Sequence, residues 1–227
     1  MDIPWYQQAA ALDQLRLFGR AIQGIAPYEI VIEPDFSQCP GGCCNFEKRR
    51  ITVNPILFHA SDKEQYLLTK ALLVHEAGHR RHTIPTRLPE IVLEIANILE
   101  DERVEVQMCE EFLGLRWLVH RLAQRFYDES GPIDVTSTRP NTVVEYFLQL
   151  RWATRIGRPV KGALSPINAQ RWEAIKSLVL ASWHADTSTI VDAHAATIVN
   201  ILGLNESNDL RRLIQFTSAT QGSTANV

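Results

Sequence analysis

Several things are scarce in this chain, and each scarcity removes a class of function. Lysine and arginine number 23 against 26 acidic residues, a formal charge of -3. The positive excess of a general nucleic-acid binder is therefore missing. No apolar run approaches the roughly 18–20 residues needed to cross a bilayer. The opening MDIPWYQQAAALDQL lacks the basic and then apolar segments of a secretory signal. The expectation is a cytoplasmic protein with no membrane and no nucleic-acid partner. The four cysteines, Cys39, Cys43, Cys44 and Cys109, are then expected to be reduced thiols. There is no internal repeat and no low-complexity tract.

What is present is an ordinary globular composition, 45% hydrophobic and 22% charged. The length of 227 residues suits one domain, or one domain with a helical extension. Residues 5–25 have helical periodicity ending near Gly24, with Pro27 as a stop signal. Residues 28–34 (YEIVIEP) and 49–58 (RRITVNPILF) alternate apolar and polar, so both read as strands. The Gly/Pro/Cys loop between them predicts a hairpin. Ser61 and Glu64 form a capping-box pattern that opens a helix running to about Thr83. Further helices are predicted over 87–114, 115–128, 142–157, 165–185, 187–204 and 208–219, with a turn-rich break at 130–141. Residues 221–227 read as a disordered tail. Helix, hairpin, then many helices is an α+β order, predominantly helical.

The chemistry centres on His75-Glu76-Ala77-Gly78-His79. Residues four apart share one helix face, about 6 Å apart along the axis. His75 and His79 can therefore aim one nitrogen each at a common Zn²⁺. Glu76 lies beside the first ligand, where it can take a proton from a zinc-activated water. Ala77 and Gly78 leave room for close packing. His82 drops out, because it stands about 10.5 Å along the axis from His75 at 1.5 Å per residue. It is expected at the helix C-terminus, favoured by the dipole. The third ligand is sought on the next helix, in NILEDERVE (97–105), where a carboxylate completes a two-histidine, one-carboxylate set.

HEAGH followed by NILEDERVE resembles the gluzincin-type zinc metallopeptidases. It is most similar to the metallopeptidases found beside, or fused to, von Willebrand A domain proteins and AAA+ ATPases of bacteria. The N-x-L-E-x-x-R-V-E skeleton is also similar to a segment of the cobaltochelatase T-type subunit, which lacks HExxH. The resemblance runs from residue 51 to about 108; the C-terminal helices resemble nothing nameable. It implies a zincin-like core over 1–128 with a small N-terminal antiparallel sheet or hairpin and an active-site helix. A C-terminal helical subdomain over 129–220 would pack on it.

The resemblance leaves the third ligand open. In thermolysin-like gluzincins that ligand is a glutamate, and an aspartate four residues later supports a histidine. Glu100 has the right residue type, but Val104 stands four residues on. Asp101 is shorter, but Glu105 stands at that position and can serve as its supporting partner. Asn97, Asp101 and Glu105 form one stripe. The cobaltochelatase segment keeps the glutamate at the Glu100 position and has glutamine at the Asp101 position, which associates Asp101 with zinc. Both stay candidates, and the unused carboxylate is expected to pair with Arg103.

The implied function is a zinc-dependent endopeptidase with Glu76 as general base, acting on a specific intracellular protein. An extended substrate would pair with the strand at 51–55. The alternative is a silent or latent module that serves as scaffold for a von Willebrand A or AAA+ partner. Cys39, Cys43 and Cys44 could bind a second metal with Cys109, or cover the zinc and keep the enzyme latent. The plainer expectation is a tight loop with buried free thiols. His120, Tyr127, Tyr146, His184 and His194 are the candidates for stabilising an oxyanion. A lone histidine such as His120 is more often a core residue. Trp117, Trp152, Trp172 and Trp183 read as core anchors. Arg49, Arg50, Arg80 and Arg81 read as solvated.

Overall fold

The computed structural model describes residues 3–34, 41–57 and 60–205. Cys39, the helix expected at 208–219 and the tail at 221–227 lie outside the described residues. A 3₁₀ turn at Trp5–Gln7 leads into α1 (Ala9–Gln23), followed by β1 (Glu29–Ile32), β2 (Gly42–Asn45) and β3 (Arg50–Val53). Then come α2 (Asp62–His82), α3 (Glu90–Glu111), a 3₁₀ turn at Leu113–Leu115, α4 (Arg116–Glu129), α5 (Asn141–Ile156), α6 (Pro166–Ser182) and α7 (Ser188–Leu202). The architecture is α+β and predominantly helical, with one small sheet.

The sheet departs from the expected hairpin. Its order is β1-β3-β2. β1 runs parallel to β3, with Ile30 opposite Ile51 and Ile32 opposite Val53. A hairpin does form, but between β3 and β2, with Cys44 opposite Ile51. Its first strand is Gly-Cys-Cys-Asn, inside the stretch that reads as a loop. The hairpin turn is closed by Asn45, whose Oδ1 accepts the Lys48 amide at 2.8 Å. The sheet is therefore mixed, and β3 is its central strand.

α2 is the spine of the N-terminal half, packing on α1, β2, β3, α3 and α4. Every residue from Ala71 to His79 is buried, as expected for a helix enclosed on all sides. The capping box does not form, since Ser61 makes no side-chain cap bond. Glu64 pairs instead with Arg121 of α4. Asp62 and Glu64 in the first turn and basic residues in the last still suit the helix dipole.

The buried apolar residues form two hydrophobic cores. One joins α1, the sheet and α2 to Met108 and Cys109 of α3 and Leu118, Val119 and Leu122 of α4. The other joins Ile91 to Leu99 of α3 and Ala123 and Tyr127 of α4 to α5, α6 and α7. Both α3 and α4 therefore run through both cores, and Phe126 packs against each. Trp152, Trp172 and Trp183 are core anchors as expected, whereas Trp117 is 51% exposed. No helix among the described residues is long and apolar enough to cross a membrane.

Candidate metal centre

α2 and α3 cross closely at Gly78. A Cβ added there would sit 3.0 Å from Met108 and 3.2 Å from Val104. This approach brings the Asp101–Glu105 stripe of α3 against the histidine face of α2. Asp101 Oδ1 lies 3.1 Å from His79 Nε2 and 3.5 Å from His75 Nε2. The two Nε2 atoms are 3.2 Å apart. A tetrahedral ion with bonds of about 2.0–2.1 Å needs ligand separations of about 3.3–3.4 Å. The three donor atoms thus already form one face of such a tetrahedron. His75, His79 and Asp101 are all buried and could hold a metal ion. Among the described residues, no other group of three His, Cys, Asp or Glu side chains does so.

Each histidine is held from behind. His75 Nδ1 donates to Glu105 Oε1 at 2.8 Å. His79 Nδ1 lies 3.1 Å from Thr83 Oγ1, and the Thr83 hydroxyl donates to Glu100 Oε1 at 2.7 Å. These bonds leave Nε2 of each ring toward the donor triangle. Glu100 is turned away from that triangle. Arg103 Nε donates to its Oε2 at 2.7 Å, and Ser188 Oγ donates to its Oε1 at 2.8 Å. So Glu100 makes the ion pair with Arg103 expected of the unused carboxylate, and also ends the relay from His79. Asn97 is half-buried on α3 and is not one of the three donors.

A second buried arginine comes from α5. Arg151 of α5 donates to Asp101 Oδ2 at 3.0 Å, Glu105 Oε1 at 2.8 Å and Glu102 Oε2 at 3.2 Å. Arg155, one turn on, pairs with Glu102 and Glu105. Burial opposes the charge on Asp101, but Arg151 and His75 outweigh it and hold the carboxyl well below its usual range. Burial likewise opposes charge on Glu105, yet the two arginines bring its pKa down to about 2. Burial disfavours a charged His75, but Asp101 and Glu105 raise its pKa to about 10. His79 goes the other way, lowered chiefly by burial.

Glu76 stands apart from this network. It is fully buried, and neither carboxylate oxygen has a hydrogen-bond partner among the described residues. Burial pushes its pKa well above the ordinary carboxylate value; Cys43 and Asp101 push the same way, and His75 opposes them. The carboxylate occupies space left by Gly42 of β2, where an added Cβ would be 2.6 Å from Oε1.

The other expected candidates are not among the three donors. Cys43 is half-buried and Cys44 fully buried on adjacent positions of β2. Successive strand side chains face opposite sides, so the two thiols do not converge on one ion. Burial pushes the Cys44 thiol pKa up strongly. Cys109 lies on α3 beside Arg155, not with them. His82 sits 3.6 Å from Glu111 rather than simply capping the helix. Tyr127 donates to the Pro159 carbonyl, and His194 bonds Ser182. His120 is exposed, not a core residue. Tyr146 packs edge-on against Trp172 in the C-terminal core. Arg81 pairs with Glu111, and Arg80 lies over the Tyr28 ring, so neither is merely solvated.

Sequence reasoning missed Thr83, Arg151, Arg155 and Gly42. Thr83 stands four residues after His79, the spacing that picked out Glu105 after Asp101. The signal for the arginines is a pair four apart on a largely apolar helix. Compared with protein-family models, curated proteins and solved structures, the chain matches none.

Proposed function

We propose that the chain is a zinc-dependent endopeptidase with a zincin-like core, acting on a protein or peptide. The observation that carries this reading is Glu76: a buried carboxylate with no described partner, adjoining a His/His/Asp donor triangle. Two imidazoles and one carboxylate suit catalytic zinc and leave a position open. The same donor set also suits non-haem iron, but a carboxylate base beside the ligands is what hydrolysis uses. Zinc bound there would lower the pKa of a coordinated water toward about 7 and polarise a substrate carbonyl.

The chain's own residues supply the rest. Asp101, His75 and His79 orient three donor atoms before any ion arrives. Glu76 accepts a proton from the attacking water and delivers it to the leaving amine. Burial favours its neutral form, and the positive charge of a bound metal ion would oppose that and favour the carboxylate. β3 is enclosed between β1 and β2, so it is not the strand an extended substrate joins. β2, the edge strand that touches Glu76, is the candidate instead.

The test is Glu76→Gln, which preserves shape but removes the base. Metal content should equal that of the wild type, while peptide hydrolysis falls by at least the roughly 10²–10⁴-fold typical of a general base. Undiminished cleavage by a metal-loaded variant would refute the mechanism.

A further inference from the structure

The donor set and the base lie on two neighbouring helices, α2 and α3. The side chain that ties the donors together lies on a third. Arg151 is 3% exposed, and its guanidinium makes three charged contacts, each to a carboxylate of α3. Two of them bear on the donor triangle. Nη1 occupies Asp101 Oδ2 at 3.0 Å, while Asp101 Oδ1 faces both histidines. Nη2 shares Glu105 Oε1, at 2.8 Å, with the Nδ1 of His75, also at 2.8 Å. We infer that Arg151 is a positioning residue of the metal centre: it holds Asp101 as a one-oxygen ligand and fixes the His75 ring through Glu105. This rests on the metal-binding reading of His75, His79 and Asp101.

The physical argument is geometric. A carboxylate with both oxygens free can swing to bind an ion through two atoms, raising its coordination number. With Oδ2 in the guanidinium fork, that swing breaks a charge-assisted bond in a buried site. The fork is planar, so the bond to Asp101 and the bond to Glu105 constrain each other, as a lysine ammonium would not. His75 gains a fixed tautomer because the acceptor of its Nδ1–H is itself held. Two of the three donors thus depend on one side chain of α5, far downstream of both in sequence.

The experiment compares wild type, Arg151→Met, Arg151→Lys and Glu102→Gln, with melting curves to establish that each is folded. Zinc affinity is read by competition with a chromophoric chelator. Coordination is read from the visible spectrum of the Co²⁺-loaded protein. Arg151→Met should weaken zinc by about 10–100-fold, the range for lost outer partners of a metal site, and should shift the cobalt spectrum toward higher coordination. Arg151→Lys, which keeps the charge but loses the fork, should fall between. Glu102→Gln removes the charge from the Arg151 contact that does not reach the donors, so affinity and spectrum should stay as in the wild type.

Wild-type affinity and spectrum in both Arg151 variants would overturn the inference. So would an effect of Glu102→Gln as large as that of Arg151→Met. Failure of both Arg151 variants to fold, with zinc unable to rescue them, would also overturn it in favour of a purely structural arginine. Absence of stoichiometric metal in the wild type itself would instead refute the underlying metal-site reading.

Discussion

Replacing Asp101 with alanine removes the carboxylate oxygen that lies within 3.5 Å of both histidine nitrogens. Replacing Glu100 with glutamine removes a charge that reaches the site only through Thr83 and His79. Structural zinc sites gain about 10–16 kcal/mol over four ligands, so one ligand is worth roughly 2.5–4 kcal/mol. At 1.4 kcal/mol per tenfold, Asp101→Ala should weaken zinc by about 10²–10³-fold. Glu100→Gln should weaken it by about 10–100-fold, as an outer partner does. Stability should rank the other way. Arg151 keeps Glu102 and Glu105 when Asp101 is lost. Arg103 loses the charge of its ion-pair partner Glu100 and keeps only neutral acceptors, the glutamine amide oxygen, the His82 carbonyl and the Ser188 hydroxyl. Removing one partner of a buried pair costs about 3–5 kcal/mol, so the metal-free Glu100 variant should melt lower. Chelator competition and thermal melts with and without zinc give both rankings from the same samples. A Glu100 variant that loses zinc more completely than the Asp101 variant would refute the assignment of roles.

Three further outcomes are expected. Thr83→Val is nearly isosteric but cuts the relay from His79 to Glu100; zinc affinity should drop about 10–100-fold with little change in fold, and an unchanged affinity would remove Thr83 from the site. Gly42→Ala places a methyl 2.6 Å from Glu76 Oε1. The carboxylate must shift, and a displacement near 1 Å can cost about 10²-fold in turnover while zinc content stays full; equal turnover would show that β2 does not position the base. His75 has a pKa raised to about 10, so in the metal-free protein the ring carries a proton at pH 7. That shift stabilises the metal-free fold fully below about pH 6.5 and is lost as pH rises through about 10. Zinc must expel this proton, so calorimetric heats should differ between buffers of different ionisation enthalpy, and affinity should climb with pH. Identical heats in both buffers would mean that His75 is already neutral.

How far the chain could be read from its residues depended on the range of the interaction. The helices were legible because their apolar periodicity is local, and α2 to α7 fall near their expected bounds. The His75-His79 pair and the Asp101–Glu105 stripe were legible because four-residue spacing fixes a face. β2 was not, because Gly-Cys-Cys-Asn has no branched residue, and its strand state comes from pairing with β3. The parallel partnership of β1 and β3 was equally hidden, since alternation marks a strand but not its neighbour. Ser61 shows the converse failure: the capping pattern is present, but Arg121 captures Glu64. Trp117 and His120 read as core by residue type, and only the packing of α4 turns them outward. Arg151 lies furthest from what local rules reach, because its partners are brought to it by the second core.

The sharing of α3 between both cores sets what can be cut from this protein. A fragment ending at residue 128 would keep the histidines, both carboxylates and the base. It would lose Arg151, Arg155 and Ser188, leaving Glu105, Glu102 and Glu100 short of their charged or hydroxyl partners inside α3. Half of that helix would also be stripped of its apolar cover. Metal binding and the C-terminal helices should therefore behave as one cooperative unit. In hydrogen exchange, the amides around Asp101 and those around Arg151 should open together.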